Sequence, residues 1–205
     1  MSRSRSRGWF QKHSSDPYVR QARAAQYRAR SAYKLQELDK REKLFKPGLT
    51  VIDLGAAPGS WAQYVAERIR PKGRVLAIDR LGIKPIDGVD IIEGDLTQPE
   101  VLEECLAWLG DQRADLVISD AAPNLTGITI TDQANMVELA QLLSKIACQV
   151  LKPGGHFLIK LFQGSELDGY VAVLREHFRD VVNRKPLASK DASREVYVLA
   201  RGYNV

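Results

Sequence analysis

The chain has 205 residues, of which 44% are hydrophobic and 27% are charged, and its formal net charge is +5. This composition is that of a soluble globular protein, and the length fits one domain with a substantial core. No apolar run reaches membrane-spanning length, and the first residues lack the hydrophobic region of a secretory signal. Cys105 and Cys148 do not have metal-ligand spacing, so we expect reduced cysteines, no metal and a cytoplasmic location.

The positive charge is concentrated at one end of the chain. Residues 1–34 carry nine Lys or Arg and one acid, so their formal net charge is +8, whereas that of the remaining residues is −3. A localised basic segment favours a polyanionic partner. A solvated charged tail would have the same composition, and a Ser/Arg-rich start is also found in organellar targeting segments, although this one has no apolar face.

The basic end divides into two parts. Residues 1–16 have little to bury, and we expect a basic, largely disordered tail. Residues 17–205 are expected to form a single domain that begins with a basic helical segment at 17–45. In this segment arginines alternate with tyrosines, a combination that suits RNA, although an exposed charged helix is the alternative. The RNA-binding candidates are Arg20, Arg23, Arg28, Arg30 and, in a second basic loop, Arg194.

Strand and helix patterns alternate after this segment. We predict strands at 49–54, 74–79, 89–93, 114–119, 156–162, 180–184 and 195–200. We predict helices within 18–44 and at 60–69, 99–109, 132–151 and 165–178. Alternation of this kind is typical of an α/β fold with a parallel sheet covered on both faces.

A glycine-containing turn follows the first strand. Gly55 and Gly59 lack the Cβ that would keep a ligand away from the backbone, and the helix that begins at Ser60 presents free N–H groups. Acids fall at or near the ends of successive strands, where such sheets bind ligands. These acids are Asp53, Asp79, Asp95 and Asp120. The pattern predicts a nucleotide-like cofactor, for either hydride transfer with a nicotinamide or methyl transfer from S-adenosylmethionine.

The glycine spacing favours the second of these cofactors. A dinucleotide needs a pyrophosphate cradle, usually Gly-x-Gly-x-x-Gly, whereas Gly55-Ala-Ala-Pro-Gly59 has another spacing and a proline without an N–H. S-adenosylmethionine has no phosphate, so a looser turn with more carboxylates suits it.

Five motifs together resemble those of the FtsJ-type ribose 2′-O-methyltransferases. They are Arg30-Ser-Ala-Tyr-Lys34-Leu, Asp53-Leu-Gly-Ala-Ala-Pro-Gly59-Ser-Trp61, Ser119-Asp120-Ala-Ala-Pro-Asn124, Leu158-Ile-Lys160-Leu-Phe-Gln-Gly164 and Ser193-Arg-Glu195-Val-Tyr-Val198. The resemblance implies a Rossmann-like S-adenosylmethionine-dependent methyltransferase fold, with a mostly parallel seven-stranded sheet and helices on both faces. It also implies a uridine 2′-hydroxyl in the A-loop of 23S rRNA, within the large (50S) ribosomal subunit, as the substrate.

The same resemblance implies the roles of individual residues. The family's catalytic set falls on Lys34, Asp120, Lys160 and Glu195. Its cofactor positions fall on Gly59, Trp61, Asp79, Asp95 and Asp120. To these we add Asp53 and Gly55, from the strand end and the turn described above, as predicted cofactor-binding residues. Ser60 stands where many family members have a second glycine, and serine also fits a helix start.

The expected reaction is an in-line displacement that depends largely on alignment and needs no metal. Lys160 either accepts the hydroxyl proton or, as a cation, orients and acidifies the hydroxyl, and the sequence leaves both roles open. Asp120 would orient Lys160, and Lys34 with Glu195 would form an outer pair that holds Lys160 and the ribose.

Other functions remain open at this point. A tRNA or mRNA-cap ribose methyltransferase can share the same four residues. A non-catalytic, RNA-binding ribosome assembly factor could retain the cofactor fold. Nothing in the sequence indicates an obligate oligomer, and we expect a monomer.

Overall fold

The structure of the protein, a computed structural model, describes residues 17–189 and 193–204. The predicted tail at 1–16 lies outside the described residues. The helices are α1 (Pro17–Ala24), α2 (Ser31–Glu42), α3 (Ser60–Ile69), α4 (Pro99–Leu109), α5 (Thr129–Val150) and α6 (Glu166–His177). The strands are β1 (Thr50–Leu54), β2 (Arg74–Asp79), β3 (Asp90–Glu93), β4 (Ala114–Ser119), β5 (Leu151–Phe162), β6 (Phe178–Arg184) and β7 (Glu195–Tyr203).

Within the described residues, seven strands form one sheet in the order β3-β2-β1-β4-β5-β7-β6. The α/β class and the number of strands are confirmed. The sheet is mixed rather than wholly parallel, since β7 runs antiparallel to both β5 and β6. The reason is the connection from β6 to β7, which is too short for the helical crossover that a parallel neighbour requires.

Helices cover both faces of the sheet because alternate strand residues point to opposite sides. In β1, Ile52 and Leu54 pack in a cluster with residues of α4, α5 and α6. Val51 packs in a second cluster with residues of α2 and α3. All five residues of β1 are buried, as expected for a central strand between two helical layers.

β5 begins earlier than its sequence pattern suggests. Leu151 already pairs with Ala114 of β4, and the register then shifts so that His156 pairs with Leu116. The intervening residues 152–155 form an irregularity in which Pro153 and two glycines interrupt the ladder. The pattern alone predicts the strand only after these residues.

The basic segment at 17–45 folds as two helices that pack on the domain. Asp39 of α2 is 4% exposed and connects this segment to α3. Its carboxylate accepts hydrogen bonds from Phe45 N at 3.1 Å, the Tyr64 hydroxyl at 2.7 Å and Arg68 Nε at 3.3 Å. α2 is therefore fixed against α3 by one buried carboxylate as well as by apolar contacts.

Among the residues that the structure describes, no helix combines the length and the apolar character needed to cross a membrane.

We predict that Asp39→Ala lowers the free energy of unfolding by about 2–4 kcal/mol, because it leaves buried donors without an acceptor. Glu103→Ala, which removes an exposed acid from α4, should change it by less than about 0.5 kcal/mol. Urea unfolding of both variants measures the difference. Equal stabilities would show that the Asp39 contacts do not hold α2 in place.

Candidate active site

The carboxyl ends of the parallel strands bring the predicted acids to one edge of the sheet. Asp79, the last residue of β2, has both carboxylate oxygens oriented by backbone amides. Oδ2 accepts from Ala57 N and Oδ1 from Leu81 N, each at 2.8 Å. Asp95 follows β3, and its Oδ1 accepts from Thr97 N at 2.9 Å and from the Thr97 hydroxyl at 2.8 Å. These two hydrogen bonds lower the pKa of Asp95.

A cavity of about 520 Å³ lies along this edge. Four of the predicted cofactor residues line it, namely Gly55, Asp79, Asp95 and Asp120. A volume of this size falls in the range of small-molecule and cofactor sites. A second space of about 30 Å³ is lined by Asp53, Trp61, Gly55 and Asp120. Of the described residues predicted to bind the cofactor, Gly59 alone lines neither space.

The turn after β1 requires glycine at two positions. Gly55 has φ +72°, and a Cβ there would lie 2.5 Å from the Ala121 Cβ. Gly59 precedes α3 with φ +97°, and a Cβ there would lie 2.6 Å from Ile86 Cδ1. Both are backbone conformations that other residues rarely adopt. The turn therefore packs against the loop after β4 and the loop between β2 and β3, and the side chains of Ala121 and Ile86 fill the space that a Cβ would need.

Asp53 carries an unsatisfied carboxylate oxygen. The residue is 1% exposed, and among the described residues its Oδ2 has no hydrogen-bond partner. Burial, reinforced by the negative charges of Asp120 and Asp79, raises the pKa of Asp53 well above its usual value. A buried acceptor of this kind, beside a cavity, fits a ligand that brings a hydrogen-bond donor or a positive charge.

The four predicted catalytic residues come together as two pairs. Lys160 Nζ lies 3.2 Å from Asp120 Oδ1 and donates to the Asp120 carbonyl at 2.5 Å. Lys34 Nζ donates to Glu195 Oε2 at 2.7 Å. Both lysines are buried, with 6% of Lys160 and 8% of Lys34 exposed. Buried ammonium groups of this kind need such partners.

The charge of Glu195 depends on this arrangement. Burial alone would raise the pKa of Glu195, but the hydrogen bond and charge of Lys34, with the charge of Lys160, hold it below its usual value. The two pairs therefore interact electrostatically.

Tyr197 joins the two pairs, a role that the sequence did not reveal. Its hydroxyl donates to Asp120 Oδ1 at 2.7 Å, and its ring centroid lies 5.8 Å from Lys34 Nζ. The side chain is completely buried, and burial together with Asp120 raises the pKa of the phenol well above its usual value. In the sequence Tyr197 is one apolar position of a strand. The available signal was that a buried tyrosine hydroxyl requires a partner.

Trp61 and two serines attach the start of α2 to this site. Trp61 Nε1 donates to the Ser31 carbonyl at 2.9 Å, and its ring lies 5.7 Å from that of Tyr197. The hydroxyls of Ser31 and Ser60 are 2.7 Å apart. Ser60, which stands where many family members have a second glycine, thus contacts Ser31 of the basic segment.

The predicted RNA-binding arginines fall into different environments. Arg20 and Arg194 are exposed, and the side chain of Arg23 lies outside the described residues. Arg30 donates to the Ala188 carbonyl at 2.5 Å, and its guanidinium lies 5.4 Å from the Tyr18 ring centroid.

Arg28 binds three backbone carbonyls. Its guanidinium donates to Pro58 O at 3.2 Å, Lys84 O at 2.7 Å and Pro85 O at 2.6 Å. Arg28 therefore links the basic segment to the glycine turn and to the loop between β2 and β3, where Arg80 and Leu81 line the large cavity.

Comparison with known proteins identifies the family. Residues 27–203 match the FtsJ-like methyltransferase family. The chain belongs to this family. Two relatives named "Ribosomal RNA large subunit methyltransferase E" are each 48% identical to this FtsJ-like protein. The one from Marinobacter nauticus aligns over all of both chains, and the one from Nitrosospira multiformis over 96% of each.

Solved structures agree with the fold of this FtsJ-like protein. A Plasmodium falciparum protein described as a ribosomal RNA methyltransferase has a TM-score of 0.80 and 30% identity, covering 86% of this chain and 98% of its own. Human methyltransferase-like protein 13, in complex with SAH, has a TM-score of 0.58 and 17% identity, covering 82% of this chain and 78% of its own. At this identity the human protein shows the fold alone.

We predict that Arg28→Ala speeds amide hydrogen exchange in residues 80–89 by about 10- to 100-fold, since losing charge-assisted hydrogen bonds costs about 1.5–3 kcal/mol. Arg20→Ala removes an exposed arginine from the same segment and should leave these amides unchanged. Mass-spectrometric exchange on both variants makes the comparison. Unchanged protection in Arg28→Ala would contradict the linking role.

Proposed function

We propose that the protein transfers a methyl group from S-adenosyl-L-methionine to the 2′-hydroxyl of a uridine ribose in the A-loop of 23S rRNA, on the large ribosomal subunit. The observation that carries the proposal is the contact of Asp120 with both Lys160 and Tyr197, at a position where Asp120 also lines the cofactor-sized cavity. A site for a small ligand and a site for proton handling therefore share one carboxylate.

The residues present fit S-adenosylmethionine. Asp79 retains free lone pairs on oxygens fixed by amides and would accept ribose hydroxyls, as acids at this strand position do. Asp95 would take a further polar group, and the unsatisfied oxygen of Asp53 suits a cationic amine. Gly55 lines the cavity, and its lack of a Cβ lets the turn pack directly against Ala121 of the opposite wall. When bound, the cofactor supplies an electrophilic methyl group on a sulfonium.

Lys160 is the residue that we propose to contact the ribose. An ammonium group has three N–H donors; one donates to the Asp120 carbonyl, and the Asp120 carboxylate lies 3.2 Å away as an ion-pair partner. At least one position therefore remains for the 2′-hydroxyl. At this position a charged ammonium would orient and acidify the hydroxyl, whereas a neutral amine would accept its proton. Asp120 fixes the direction of the Lys160 side chain in either role.

Lys34 and Glu195 form the outer pair in this proposal. Their 2.7 Å contact places a carboxylate and an ammonium beside the Tyr197 ring. Glu195 stays ionised because Lys34 and Lys160 lower its pKa against the effect of burial. The pair can hold the ribose while the reacting oxygen is aligned, and alignment supplies much of the rate enhancement in such displacements.

The choice of RNA rests on the relatives and on the basic segment. Relatives named as large-subunit rRNA methyltransferases match the whole chain, and the uridine and the A-loop follow from the motif resemblance. Arg20 and Arg194 are exposed and available to phosphates. We place the protein in the cytoplasm with its ribosomal substrate and propose that it acts as a monomer.

The test is methyl transfer from labelled S-adenosylmethionine to undermodified large subunits, protein-free 23S rRNA and tRNA, with the labelled nucleoside identified after digestion. We predict 2′-O-methyluridine on ribosomal RNA. Lys160→Met preserves the apolar stem and should lower kcat by at least about 10²–10⁴-fold, the usual contribution of a proton-transfer or orienting group.

Lys160→Arg separates the two roles of Lys160, because arginine remains a cation and does not act as a base. Partial activity in this variant would indicate that Lys160 acts as an orienting cation. Label on tRNA alone would change the proposed substrate. Transfer to no RNA, or full activity in Lys160→Met, would contradict the proposed chemistry.

A further inference from the structure

A basic groove lies beside the catalytic pairs and is separate from the cofactor cavity. Its volume is about 480 Å³. One wall is the face of α2 that carries Glu37, Lys40 and Arg41, and the other is formed by Arg184, Lys185 and Leu187 at and after the end of β6. We propose that this groove binds the phosphodiester backbone of the substrate RNA strand adjacent to the methylated nucleotide. The inference rests on the proposed function for its choice of RNA.

The charge of the groove is strongly positive. Its lining contains four cations and a single acid, Glu37, whose carboxylate already accepts hydrogen bonds from Ala188 N at 3.1 and 3.2 Å. Behind the lining, Glu42 contacts three guanidinium groups, those of Arg41, Arg184 and Arg201. Arg201 also pairs with Asp180, so two carboxylates face these three guanidinium groups, and together with Lys40 and Lys185 the groove retains an excess of positive charge that favours a polyanion.

Two lysines are available to bind phosphate. Lys40 is exposed and makes no ion pair with any side chain that the structure describes. Lys185 is also exposed, and its Nζ donates to the Ser193 carbonyl at 3.2 Å, a contact that leaves its charge uncompensated. Lysine ammonium groups in such positions typically contact phosphates, and the neighbouring arginine planes can stack on bases.

Hydrogen bonds connect the two walls of the groove. The loop after β6 is attached to α2 through Ala188, whose N–H donates to Glu37 and whose carbonyl accepts from Arg30 at 2.5 Å. Leu187 projects from this attached loop with 87% of its surface exposed. An exposed apolar side chain beside cations offers a contact surface for an unstacked base, while the cations hold the backbone.

The position of the groove relative to Lys160 fits one continuous RNA strand. Lys160 of β5 pairs with Tyr197 of β7, which pairs with Arg184 of β6. Two strand spacings separate the backbones of Lys160 and Arg184 by about 10 Å. A single RNA strand spans a distance of this size with a few nucleotides, so a strand held in the groove can reach the ribose at Lys160. On α2, Glu37 is three residues beyond Lys34, so the groove begins one helical turn from the outer catalytic pair.

The test variant is Lys40→Glu/Lys185→Glu, which leaves the arginines on Glu42 intact. The control is Lys72→Glu/Lys145→Glu, which reverses two exposed lysines that do not line the groove and changes the net charge equally. Binding to protein-free 23S rRNA is measured by filter retention over a range of salt concentrations. We expect the groove variant to bind about tenfold more weakly, with the slope of log K against log salt reduced by about 1.4 for two lost phosphate contacts.

The stabilisation of the groove variant by S-adenosylmethionine should equal that of the wild type, since the cofactor cavity is unchanged. If the groove variant has the same affinity and salt slope as the control, the groove does not bind RNA and the proposal is overturned. Loss of binding to assembled large subunits only would also overturn it, because the groove would then contact a ribosomal protein. If the wild-type protein methylates no rRNA, the proposed function fails, and the binding comparison still decides whether the groove binds RNA.

Discussion

The carboxylate of Asp120 is the constraint on which the rest of the site depends. Lys160 and Tyr197 are both buried, and each carries a polar group that is costly to bury without a partner. One carboxylate at the end of β4 satisfies both, at 3.2 and 2.7 Å. The ends of β4, β5 and β7 are thereby held in one arrangement. Replacing Asp120 with an apolar residue would leave the buried Lys160 ammonium without its counter-charge and the Tyr197 hydroxyl without its acceptor, so the same carboxylate serves folding and the proposed chemistry.

The direction of β7 has a functional consequence. Because β7 is antiparallel, its first residue, Glu195, lies at the edge where the parallel strands end. Glu195 therefore meets Lys34, which α2 brings to the same edge. A parallel seventh strand would place Glu195 at the opposite edge of the sheet, away from Lys160. The short connection after β6 is thus responsible both for the mixed sheet and for the completion of the four-residue set.

The sequence predicted the order of strands and helices and the edge on which the acids meet, because periodicity and strand-end residues are local signals. It did not predict the direction of β7, the hydrogen bond of Tyr197 or the carbonyl acceptors of Arg28. These features depend on residues far apart in the chain: 77 positions separate Tyr197 from Asp120, and 56 separate Arg28 from Lys84. In the sequence Arg28 is one of several arginines between tyrosines, and nothing local distinguishes a link to a loop from a phosphate contact. The cofactor and RNA contacts of the predicted residues remain predictions.

The most direct test of this account is the rate of methyl transfer by Asp120→Asn with cofactor and ribosomal RNA both saturating. Asparagine has the same shape and still accepts a hydrogen bond from Tyr197, but it removes the negative charge beside Lys160. We predict that kcat falls by at least about 100-fold, as for other preorganised electrostatic groups, while the protein remains folded by circular dichroism. A folded Asp120→Asn protein with kcat within a few fold of the wild type would contradict the claim that this carboxylate organises the site.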